Sequence, residues 1–399
     1  MMNMNTYNQD FPLLRDGKII YFDNACQTLR PGSVIKAMNE YYEVYPACGG
    51  RSMHRLAAKV TEQCDLARKS IADFIGAKHK EEIIFTRNTT EGINLVANCF
   101  GLKRGDVVIT SDKEHNSNLI PWQVLKTRIG IVHKIIPTDT NGQLDMLAYE
   151  QALPGATLVS MGMTSNLDGV TFPVEEIIHM AHKAGAKVLL DGAQAVPHRK
   201  INVTKLDVDF LAFSGHKMLG PSGMGVLYGK RDLLNALSPF LVGGDTVSSS
   251  TYDSHEFLPI PEKFEAGLQD YAGIIGLGEA VRYLENVGFD FIAETEHMLN
   301  AYVSSQLKKI DGLTIIGPED PNLRGGIVSF YIKDKAHHQI ALMLDETAGI
   351  CVRSGQHCVH SWFASRNIPG SVRASFYFYN TMEEAEKFVA NLKKIVSIL

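Results

Sequence analysis

The chain has 399 residues, with 39 basic and 44 acidic side chains and a formal charge of −5. This length exceeds what one hydrophobic core usually organises, so we expect two domains. The charges form no block of one sign, which predicts neither a nucleic-acid-binding surface nor a polybasic membrane patch. With 45% hydrophobic and 21% charged residues, the composition excludes a mainly disordered chain. The expected ligand is therefore a small molecule.

Short apolar runs alternate with amphipathic helix patterns from about residue 55, which is the pattern of βα units on a largely parallel sheet. Polar residues follow several of these runs, at the edge where open α/β sheets bind ligands. Helix patterns at 60–74, 92–99 and 174–184 would cover the sheet. The predicted strands are 83–86, 107–110, 157–161, 187–190, 210–213 and 225–228.

The pattern changes between residues 239 and 261, where Gly, Ser, Thr, Asp and Pro predict an ordered loop or a domain border. Helix patterns follow at 274–307, and a last helix begins with a capping box of Thr381 and Glu384. Further strand-like runs are 313–316, 326–332 and 372–378. We predict an N-terminal segment 1–20 packed on the small domain, a large domain 21–262 and a smaller α+β domain 263–399.

The six cysteines lack a C-x-x-C pair, and the start of the chain has no basic stretch leading into an apolar one. Both features favour a reduced, cytoplasmic protein. No window approaches 18 uninterrupted apolar residues, so no membrane-spanning helix is expected. No metal site is predicted, since the spacing between Cys351 and Cys358 matches no common metal pattern.

Two predicted strand ends carry residues that suit pyridoxal phosphate. Lys217 follows the strand 210–213, and Asp191 closes the strand 187–190. A partly desolvated lysine has a lowered pKa and can form a Schiff base, while a carboxylate keeps the pyridinium nitrogen protonated. The alternatives are a lysine that only ends a strand in water and an aspartate that only caps a helix.

A phosphate cradle is predicted at residues 88–92, Asn-Thr-Thr-Glu-Gly, because this segment follows a strand and opens a helix whose free amides attract an anion. Ser214 and His216 would add donors. His115 lies past a further strand and suits stacking on the cofactor ring, and Asn166 suits bonding its phenolic oxygen. The alternatives are a plain helix cap and ordinary turn residues.

Together these motifs resemble the class V branch of fold-type I pyridoxal-phosphate enzymes, and most closely the SUF-type cysteine desulfurases and selenocysteine lyases. The resemblance covers about residues 20 to 390 in order. It implies an α/β fold with a mostly parallel seven-stranded sheet in the large domain, a smaller α+β domain, and a homodimer with active sites at the interface. The matching strings begin at Thr89 (Thr-Thr-Glu-Gly-Ile-Asn-Leu-Val-Ala-Asn), Asp191 (Asp-Gly-Ala-Gln-Ala), Phe213 (Phe-Ser-Gly-His-Lys), Phe264 (Phe-Glu-Ala-Gly) and Arg373 (Arg-Ala-Ser).

The resemblance also implies roles for individual residues. Lys217 would hold the cofactor, Asp191 would pair with the ring nitrogen and His115 would stack on the ring. Lys217, His115 and Cys358 form the implied catalytic set. The implied cofactor-binding set is Lys217, Asp191, Gln194, His115, Asn166, Thr89, Thr90, Ser214 and His216.

Sulfur removal is a separate prediction that depends on Cys358, which lies where this family carries its persulfide-forming nucleophile. Only a thiolate attacks, and neighbouring Arg353 or a protonated His357 would raise the thiolate fraction. The alternative is a buried structural cysteine, against which the flanking Ser, Gly, Gln and His argue. We interpret Cys351, in an apolar run, as a core residue.

Arg373 is the candidate for binding the substrate carboxylate, because a planar guanidinium binds carboxylates through two parallel hydrogen bonds. The alternative is a structural ion pair. Arg353 and Asn166 complete the substrate set together with Arg51, which, like His54, matches a loop that approaches the active site in the family.

Several positions depart from the family pattern. Leu268, Gln269 and Asp270 replace the usual Thr-Pro-Asn, which removes a threonine hydroxyl expected to reach the partner subunit's phosphate. Gln356 and Met163 stand where histidine is frequent. Cys48 is either a second reactive thiol or an incidental loop residue.

The sequence therefore predicts a pyridoxal-phosphate-dependent L-cysteine desulfurase. It would convert L-cysteine to L-alanine and leave a persulfide on Cys358 for a sulfur-acceptor protein, with iron–sulfur cluster assembly as the expected use. The alternatives are a selenocysteine lyase, a class V β-lyase or aminotransferase that does not need Cys358, and a non-enzymatic sulfur or metal scaffold.

Overall fold

The computed structural model describes residues 7–399, so residues 1–6 of the predicted N-terminal segment lie outside the described residues. The strands, in chain order, are β1 (Ile20–Tyr21), β2 (Ile83–Thr86), β3 (Val107–Ser111), β4 (Val132–Ile136), β5 (Ala156–Gly162), β6 (Lys187–Asp191), β7 (Phe210–Ser214), β8 (Gly225–Gly229), β9 (Val247–Ser250), β10 (His255–Phe257), β11 (Leu313–Ile315), β12 (Ile327–Ile332), β13 (Ile350–Cys351), β14 (Arg353–Gly355) and β15 (Ser371–Ser375). The α-helices are α1 (Gly32–Val44), α2 (Arg55–Ile75), α3 (Thr89–Cys99), α4 (Asn116–Ile129), α5 (Met146–Ala152), α6 (Val174–Lys183), α7 (Val203–Leu206), α8 (Arg231–Ala236), α9 (Tyr271–Val287), α10 (Phe289–Leu307), α11 (His337–Ala348), α12 (His360–Ser365) and α13 (Met382–Ile398).

A seven-stranded sheet in the order β2-β8-β7-β6-β5-β3-β4 forms the centre of the molecule. Strand β8 runs antiparallel to both of its neighbours, and the other pairs are parallel. The predicted α/β fold with a mostly parallel sheet is confirmed, and each of the six predicted strands ends within one residue of its prediction. Edge strand β4 escaped prediction because its exposed apolar residues Val132 and Ile135 do not alternate regularly with polar ones.

The two faces of this sheet build separate cores because successive side chains of a strand point to opposite faces. In β6, Val188 and Leu190 join a core with α2, α6 and α9, which we call the α9-side core. Leu189 joins the opposite core with α3 and α4, the α3-side core. A strand buried on both faces needs a continuous apolar run, which explains why these strands were recognisable in the sequence.

The second sheet is antiparallel, in the order β11-β12-β15-β14, and its residues pack with α10, α11 and α13 in what we call the small-domain core. The predicted capping box opens α13: the Glu384 amide donates to Thr381 Oγ1, and the Thr381 amide donates to the Glu384 carboxylate. The stretch predicted as a loop or border at 239–261 contains a β9–β10 hairpin instead of loop alone. The Ser and Thr side chains of this stretch leave only a weak apolar pattern, so its two strands were not predicted.

The N-terminal segment divides between two cores. Phe11 belongs to the α9-side core, with its ring centroid 4.4 Å from that of Tyr379, whereas Ile20 and Phe22 belong to the small-domain core. The rings next to Phe11 are those of Tyr283, Phe378 and Tyr379, which all belong to the range 263–399, so the predicted packing of the segment on that domain stays a prediction. The border at 262/263 stays a prediction, and α9 beyond it packs in the α9-side core.

Candidate active site

A cavity of about 220 Å³ lies at the carboxyl ends of β3, β5, β6 and β7, and strands β14 and β15 of the second sheet close it. Parallel strands bring their carboxyl ends to one edge, so residues far apart in sequence meet there. Of the predicted residues, the cavity is lined by Thr89, Thr90, His115, Asn166, Asp191, Gln194, Ser214, His216, Lys217, Arg353 and Arg373. Cys358 and Arg51 are not among its lining residues.

Lys217 and Asp191 face this cavity from neighbouring strands. Burial lowers the pKa of Lys217, the Asp191 charge opposes that shift, and the Arg373 charge adds to it. Burial raises the pKa of Asp191, which the Lys217 charge counteracts, while Asp191 Oδ1 accepts the Ala193 amide at 2.9 Å. The lysine is thus biased toward its neutral, nucleophilic amine, beside a carboxylate suited to a cationic ring nitrogen.

The N-terminus of α3 forms an anion cradle at one end of the cavity. Asn88 caps the helix by accepting the Glu91 amide at 3.0 Å, and the Thr89 amide donates to Ser214 Oγ at 2.9 Å. Gly225 of β8 is needed here, because a Cβ at that position would lie 2.6 Å from Asn88 Cα. Free helix amides and hydroxyls fit a phosphate.

The histidines of the cavity are uncharged. Burial, helped by the Lys217 charge, lowers the pKa of His115 to about 3 and that of His216 to about 4. His115 caps α4, with Nδ1 accepting the Ser117 amide at 3.1 Å, so its proton resides on Nε2. The positive charge that faces the cavity therefore comes from arginine and from any protonated lysine, and His115 presents a neutral ring.

Gln194 carries a buried group without a partner. Its Nε2 donates to the Ala25 carbonyl at 2.6 Å, and its Oε1 has no hydrogen-bond partner among the described residues. Leaving a buried acceptor unpaired costs about 1–3 kcal/mol. The unpaired oxygen and the cradle at α3 together fit a polar ligand such as pyridoxal phosphate.

Arg373 is 1% exposed and lies on β15, the central strand between β12 and β14. Its Nη1 donates to the Asn166 carbonyl at 2.9 Å, its Nη2 lies 3.3 Å from Asp23 Oδ1, and its Nε has no partner among the described residues. The Asn166 side chain is itself fixed, since Nδ2 donates to the His357 carbonyl at 2.7 Å. A held guanidinium with a spare donor suits a substrate carboxylate.

Cys358 lies beside the cavity, half-buried, in the turn between β14 and α12. Arg353 lies next to both the cavity and Cys358: it lines the cavity, and its Nη2 lies 3.8 Å from Cys358 Sγ. His357 and Cys358 have φ values of 49° and 60°, two consecutive left-handed conformations in non-glycine residues. Such conformations are uncommon and mark a specially shaped turn.

One predicted activator of this thiol is wrong. His357 is 3% exposed, and burial together with the Arg373 and Arg353 charges lowers its pKa to about 2, so it is not protonated. Its Nε2 lies 2.8 Å from Ser371 Oγ. Arg353 is therefore the cation next to Cys358.

The predicted substrate residue Arg51 does not reach the cavity of its own chain. Arg51 forms an ion pair with Asp245 instead. Its loop is held against α9, since the Tyr271 hydroxyl donates to the Gly49 carbonyl at 3.4 Å. Cys48 is half-buried in the same loop, 3.7 Å from the Tyr271 hydroxyl.

The residues that depart from the family pattern form hydrogen bonds with nearby backbone groups, are buried in a core or are exposed. Asp270 caps α9 by accepting the Gly273 amide, the Gln269 side chain bonds to carbonyls of its own loop, and Leu268 is 72% exposed. Gln356 donates to the Pro369 carbonyl, and Met163 is buried in the α9-side core.

Several residues of the cavity wall escaped prediction, among them Glu114 and Cys26. Glu114 is 3% exposed, and burial raises its pKa to about 7. The carboxylate accepts hydrogen bonds from the Gly162 amide and the Ser111 hydroxyl, which lower the pKa but do not cancel the effect of burial. Its position directly before His115 was the available signal. Cys26 lines the cavity from a loop between β1 and α1, and no strand prediction placed this loop at the site.

Among the described residues, none of the helices is both long and apolar enough to cross a membrane. The aminotransferase class-V family model matches residues 20–388. A cysteine desulfurase of Enterobacter sp. (strain 638) is 40% identical over 399 residues, which covers 98% of this chain and 97% of that protein.

Two solved structures are also similar over nearly the whole chain. The apo cysteine desulfurase from Thermococcus onnurineus NA1 has a TM-score of 0.95 and 40% identity, covering 98% of both chains. The cysteine desulfurase CsdA from Escherichia coli, in its S-sulfonic acid form, has a TM-score of 0.93 and 33% identity, covering 100% of both chains. The similarity thus extends over both sheets and all sides of the cavity.

Proposed function

This chain belongs to the class V aminotransferase family, and we propose that it removes the sulfur of L-cysteine as a persulfide on Cys358. It is a pyridoxal-phosphate-dependent cysteine desulfurase, as are its full-length relatives. The observation that supports the chemistry best is the pairing of Lys217 with Asp191 in one cavity, opposite the cradle at α3 and the buried Arg373. The roles below are proposed for this chain's own residues.

Pyridoxal phosphate fits the unpaired Gln194 oxygen and the α3 cradle, and we assign its phosphate to Thr89, Thr90, Ser214 and His216. Asp191 would meet the ring nitrogen, the neutral His115 ring would stack on it, and Asn166 and Gln194 would contact its oxygen. When bound, the cofactor supplies an electron-accepting ring that makes the substrate Cα–H bond acidic and weakens the Cβ–S bond.

Lys217 acts as the anchor and the proton carrier. Its lowered pKa leaves part of the population with a free electron pair on Nζ, which is required both for attack on a carbonyl and for accepting a proton. Asp191 limits this shift, so the same nitrogen can later donate a proton to the product. A lysine fully exposed to water would remain protonated at neutral pH.

Arg373 positions the substrate by its carboxylate. Its two paired nitrogens fix the guanidinium plane, and its unpaired Nε is available to the ligand. The Asn166 side-chain amide donates to the His357 carbonyl, and the Asn166 backbone carbonyl accepts from Arg373. Asn166, which would contact the cofactor, therefore also holds the arginine that would bind the substrate. Arg353 completes the substrate side.

The sulfur step balances without an external oxidant. The Cys358 thiolate forms an S–S bond with the substrate sulfur while the substrate Cβ–S bond breaks. The electron pair of that bond stays with Cβ, which takes up a proton and becomes the methyl group of alanine. Arg353, 3.8 Å from Sγ, stabilises the attacking thiolate.

We further propose a homodimer, a sulfur-acceptor protein and use of the sulfur in iron–sulfur cluster assembly. An apolar surface supports the dimer: Met53, Val242, Tyr252 and Leu268 are each more than half exposed. They lie on loops joined by the Arg51–Asp245 ion pair and by the Gly267 amide, which donates to the Gly244 carbonyl. Burying such a surface is a usual reason for association.

If this surface forms the dimer, a Leu268→Asp variant should dissociate into monomers, which analytical sedimentation measures. An unchanged sedimentation coefficient would exclude this surface as the dimer interface.

The test of the persulfide is the Cys358→Ser variant reconstituted with pyridoxal phosphate. We expect the visible absorption band of the bound cofactor to remain and alanine formation to fall by roughly 100-fold or more, because serine is not an effective sulfur nucleophile. Cys99→Ser is the matched control, since Cys99 lies at the end of α3 outside the cavity.

The outcomes separate the parts of the proposal. Undiminished alanine release by the Cys358 variant would exclude the persulfide role and favour a β-lyase. A protein that gains no absorption band with pyridoxal phosphate would contradict the cofactor assignment. Persulfide found on the 354–366 peptide after cysteine turnover, and lost on mixing with an acceptor protein, would support transfer.

A further inference from the structure

Cys26 is the cysteine whose side chain lines the cavity, in company with Lys217 and Arg373. All six cysteines lie within the described part of the chain and are free, and Cys358 itself lies behind Arg353. A sulfur-bearing substrate in this cavity therefore shares it with a thiol that the reaction above leaves unused.

The backbone around Cys26 is held rigidly by both parts of the molecule. The Ala25 amide donates to Ser375 Oγ at 2.9 Å, and the Ala25 carbonyl accepts Gln194 Nε2 at 2.6 Å. The Cys26 amide donates to the Asp23 carbonyl at 3.1 Å. The backbone that carries the thiol is thus fixed at the wall by β15 on one side and by the loop after β6 on the other.

Two arginines connect Cys26 to Cys358. Arg353 and Arg373 stand opposite each other in the β14–β15 register, and both line the cavity. Arg353 contacts Cys358 Sγ, while Arg373 is paired with Asp23, three residues before Cys26. Burial raises the pKa of Asp23, and Arg373, Arg353 and the Cys26 thiol each lower it. Cys358 is thus in contact with one arginine of the pair, Cys26 lines the same cavity as both arginines, and the Asp23 carboxylate is within hydrogen-bond reach of Cys26.

We propose that Cys26 is a second sulfur carrier, which takes the outer sulfur of the Cys358 persulfide and holds it inside the cavity. The inference rests on the proposed function, since it needs that persulfide. The Cys26 thiolate attacks the outer sulfur, a new S–S bond forms on Cys26, and the Cys358–sulfur bond breaks. Cys358 leaves as a thiolate and takes up the proton that Cys26 released, so no oxidant or reductant is consumed.

The other cysteines lack this arrangement. Burial raises the pKa of Cys64 to about 12 and that of Cys99 to about 11, which disfavours their thiolates. Cys48 contacts Tyr271, and burial and Asp345 raise the pKa of Cys351. Selective loading of Cys26 is therefore expected.

The experiment uses the holoenzyme with excess L-cysteine, without reductant or acceptor, followed by alkylation and tryptic mass spectrometry. Cys26 and Cys358 fall on separate peptides, 19–36 and 354–366, with one cysteine each. We expect persulfide on both peptides, and an alanine burst that falls from about two per chain to about one in Cys26→Ala. Cys99→Ala, the matched control, should keep the full burst. In Cys358→Ala, peptide 19–36 should carry none.

Persulfide on 354–366 with none on 19–36 would overturn the second carrier and leave the proposed function intact. Persulfide on 19–36 in Cys358→Ala, or equal loading of the Cys48 and Cys99 peptides, would also overturn it. A chain without persulfide on either peptide, yet with undiminished alanine, would instead contradict the proposed function itself.

Discussion

The two sides of the cavity are built in different ways. Lys217 follows β7 in the interior of the seven-stranded sheet, and Ser214 is paired with Gly225 across the ladder. Cys358 follows β14, an edge strand of the smaller sheet, in a half-buried turn with two left-handed residues. The first side is fixed by the sheet ladder, and the second by a few hydrogen bonds.

This difference matches the tasks that we propose for the two sides. An anchor and proton carrier acts on atoms that stay in one place, so it benefits from a rigid strand end. A thiol that takes sulfur from a cavity and presents it to another thiol has to meet partners on two sides, which suits a turn at an edge. The following experiments probe this contrast, in order of decreasing expected effect.

The rigid side depends on the direction of its strands. Lys217→Ala should reduce alanine formation by about 10³-fold or more, because the other lysine of the cavity wall, Lys113, is held in a buried ion pair with Asp168 and does not replace it. The matched control is Lys230→Ala. Lys230 also follows a strand, but β8 runs antiparallel and ends at the opposite edge, where Lys230 pairs with Asp207 and Asp209. An equal loss in both variants, measured with circular dichroism to exclude unfolding, would contradict the strand-end assignment.

The rigid side also contains a titrating carboxyl group. Glu114 has a pKa of about 7 in the folded chain against an ordinary 4.5. Its contribution to stability is therefore complete below the lower value and disappears as the pH rises through the upper one. Between about pH 5 and pH 8, the free energy of unfolding should lose roughly 3 kcal/mol that Glu114→Gln does not lose. Urea unfolding at both pH values measures this, and parallel pH profiles would refute it.

Arg373 lies between the two sides of the cavity, where it contacts the Asn166 carbonyl and the Asp23 carboxylate. Arg373→Lys should raise KM for cysteine by about 10- to 100-fold with a smaller change in kcat, because an ammonium group cannot keep the contacts with Asn166 and Asp23 and also offer a directed donor to the substrate carboxylate. Arg366→Lys is the control, since Arg366 stacks on Trp362 and pairs with Asp112 away from the lining residues. A fall in kcat with unchanged KM would assign Arg373 to structure instead.

The same contrast explains what the sequence could predict. Strands buried on both faces leave continuous apolar runs, so β2, β3 and β5 to β8 were found within a residue, and with them the positions of Asp191 and Lys217. The carboxyl-end rule then brought His115 and Asn166 to the same edge. The strand-like run 372–378 placed Arg373 on a strand of the smaller domain, and only the resemblance to the family placed that strand at the site.

Other features depend on packing that a single sequence does not display. Whether His357 is protonated is decided by its burial beside two arginines, which come together only in the folded chain. Cys26 lies at the wall because its neighbour Ala25 is held by two residues distant in sequence: the Ala25 amide donates to Ser375 Oγ, and the Ala25 carbonyl accepts from Gln194 Nε2. Arg51 was expected at the site because its motif matched, but its loop is held by Tyr271 on another surface.

The divided N-terminal segment limits how the cavity can open. Phe11 is embedded in the α9-side core and Phe22 in the small-domain core. The chain passes between these two cores again within α10, between Phe376 and Tyr377, and between Tyr379 and Ala385. Because the chain crosses between the two cores several times, a rotation of one core against the other would have to displace several segments together, among them those that hold Phe11 and Phe22. We therefore expect substrate and product to pass by local movement of the cavity wall, to which the 356–359 turn contributes His357 next to Cys358.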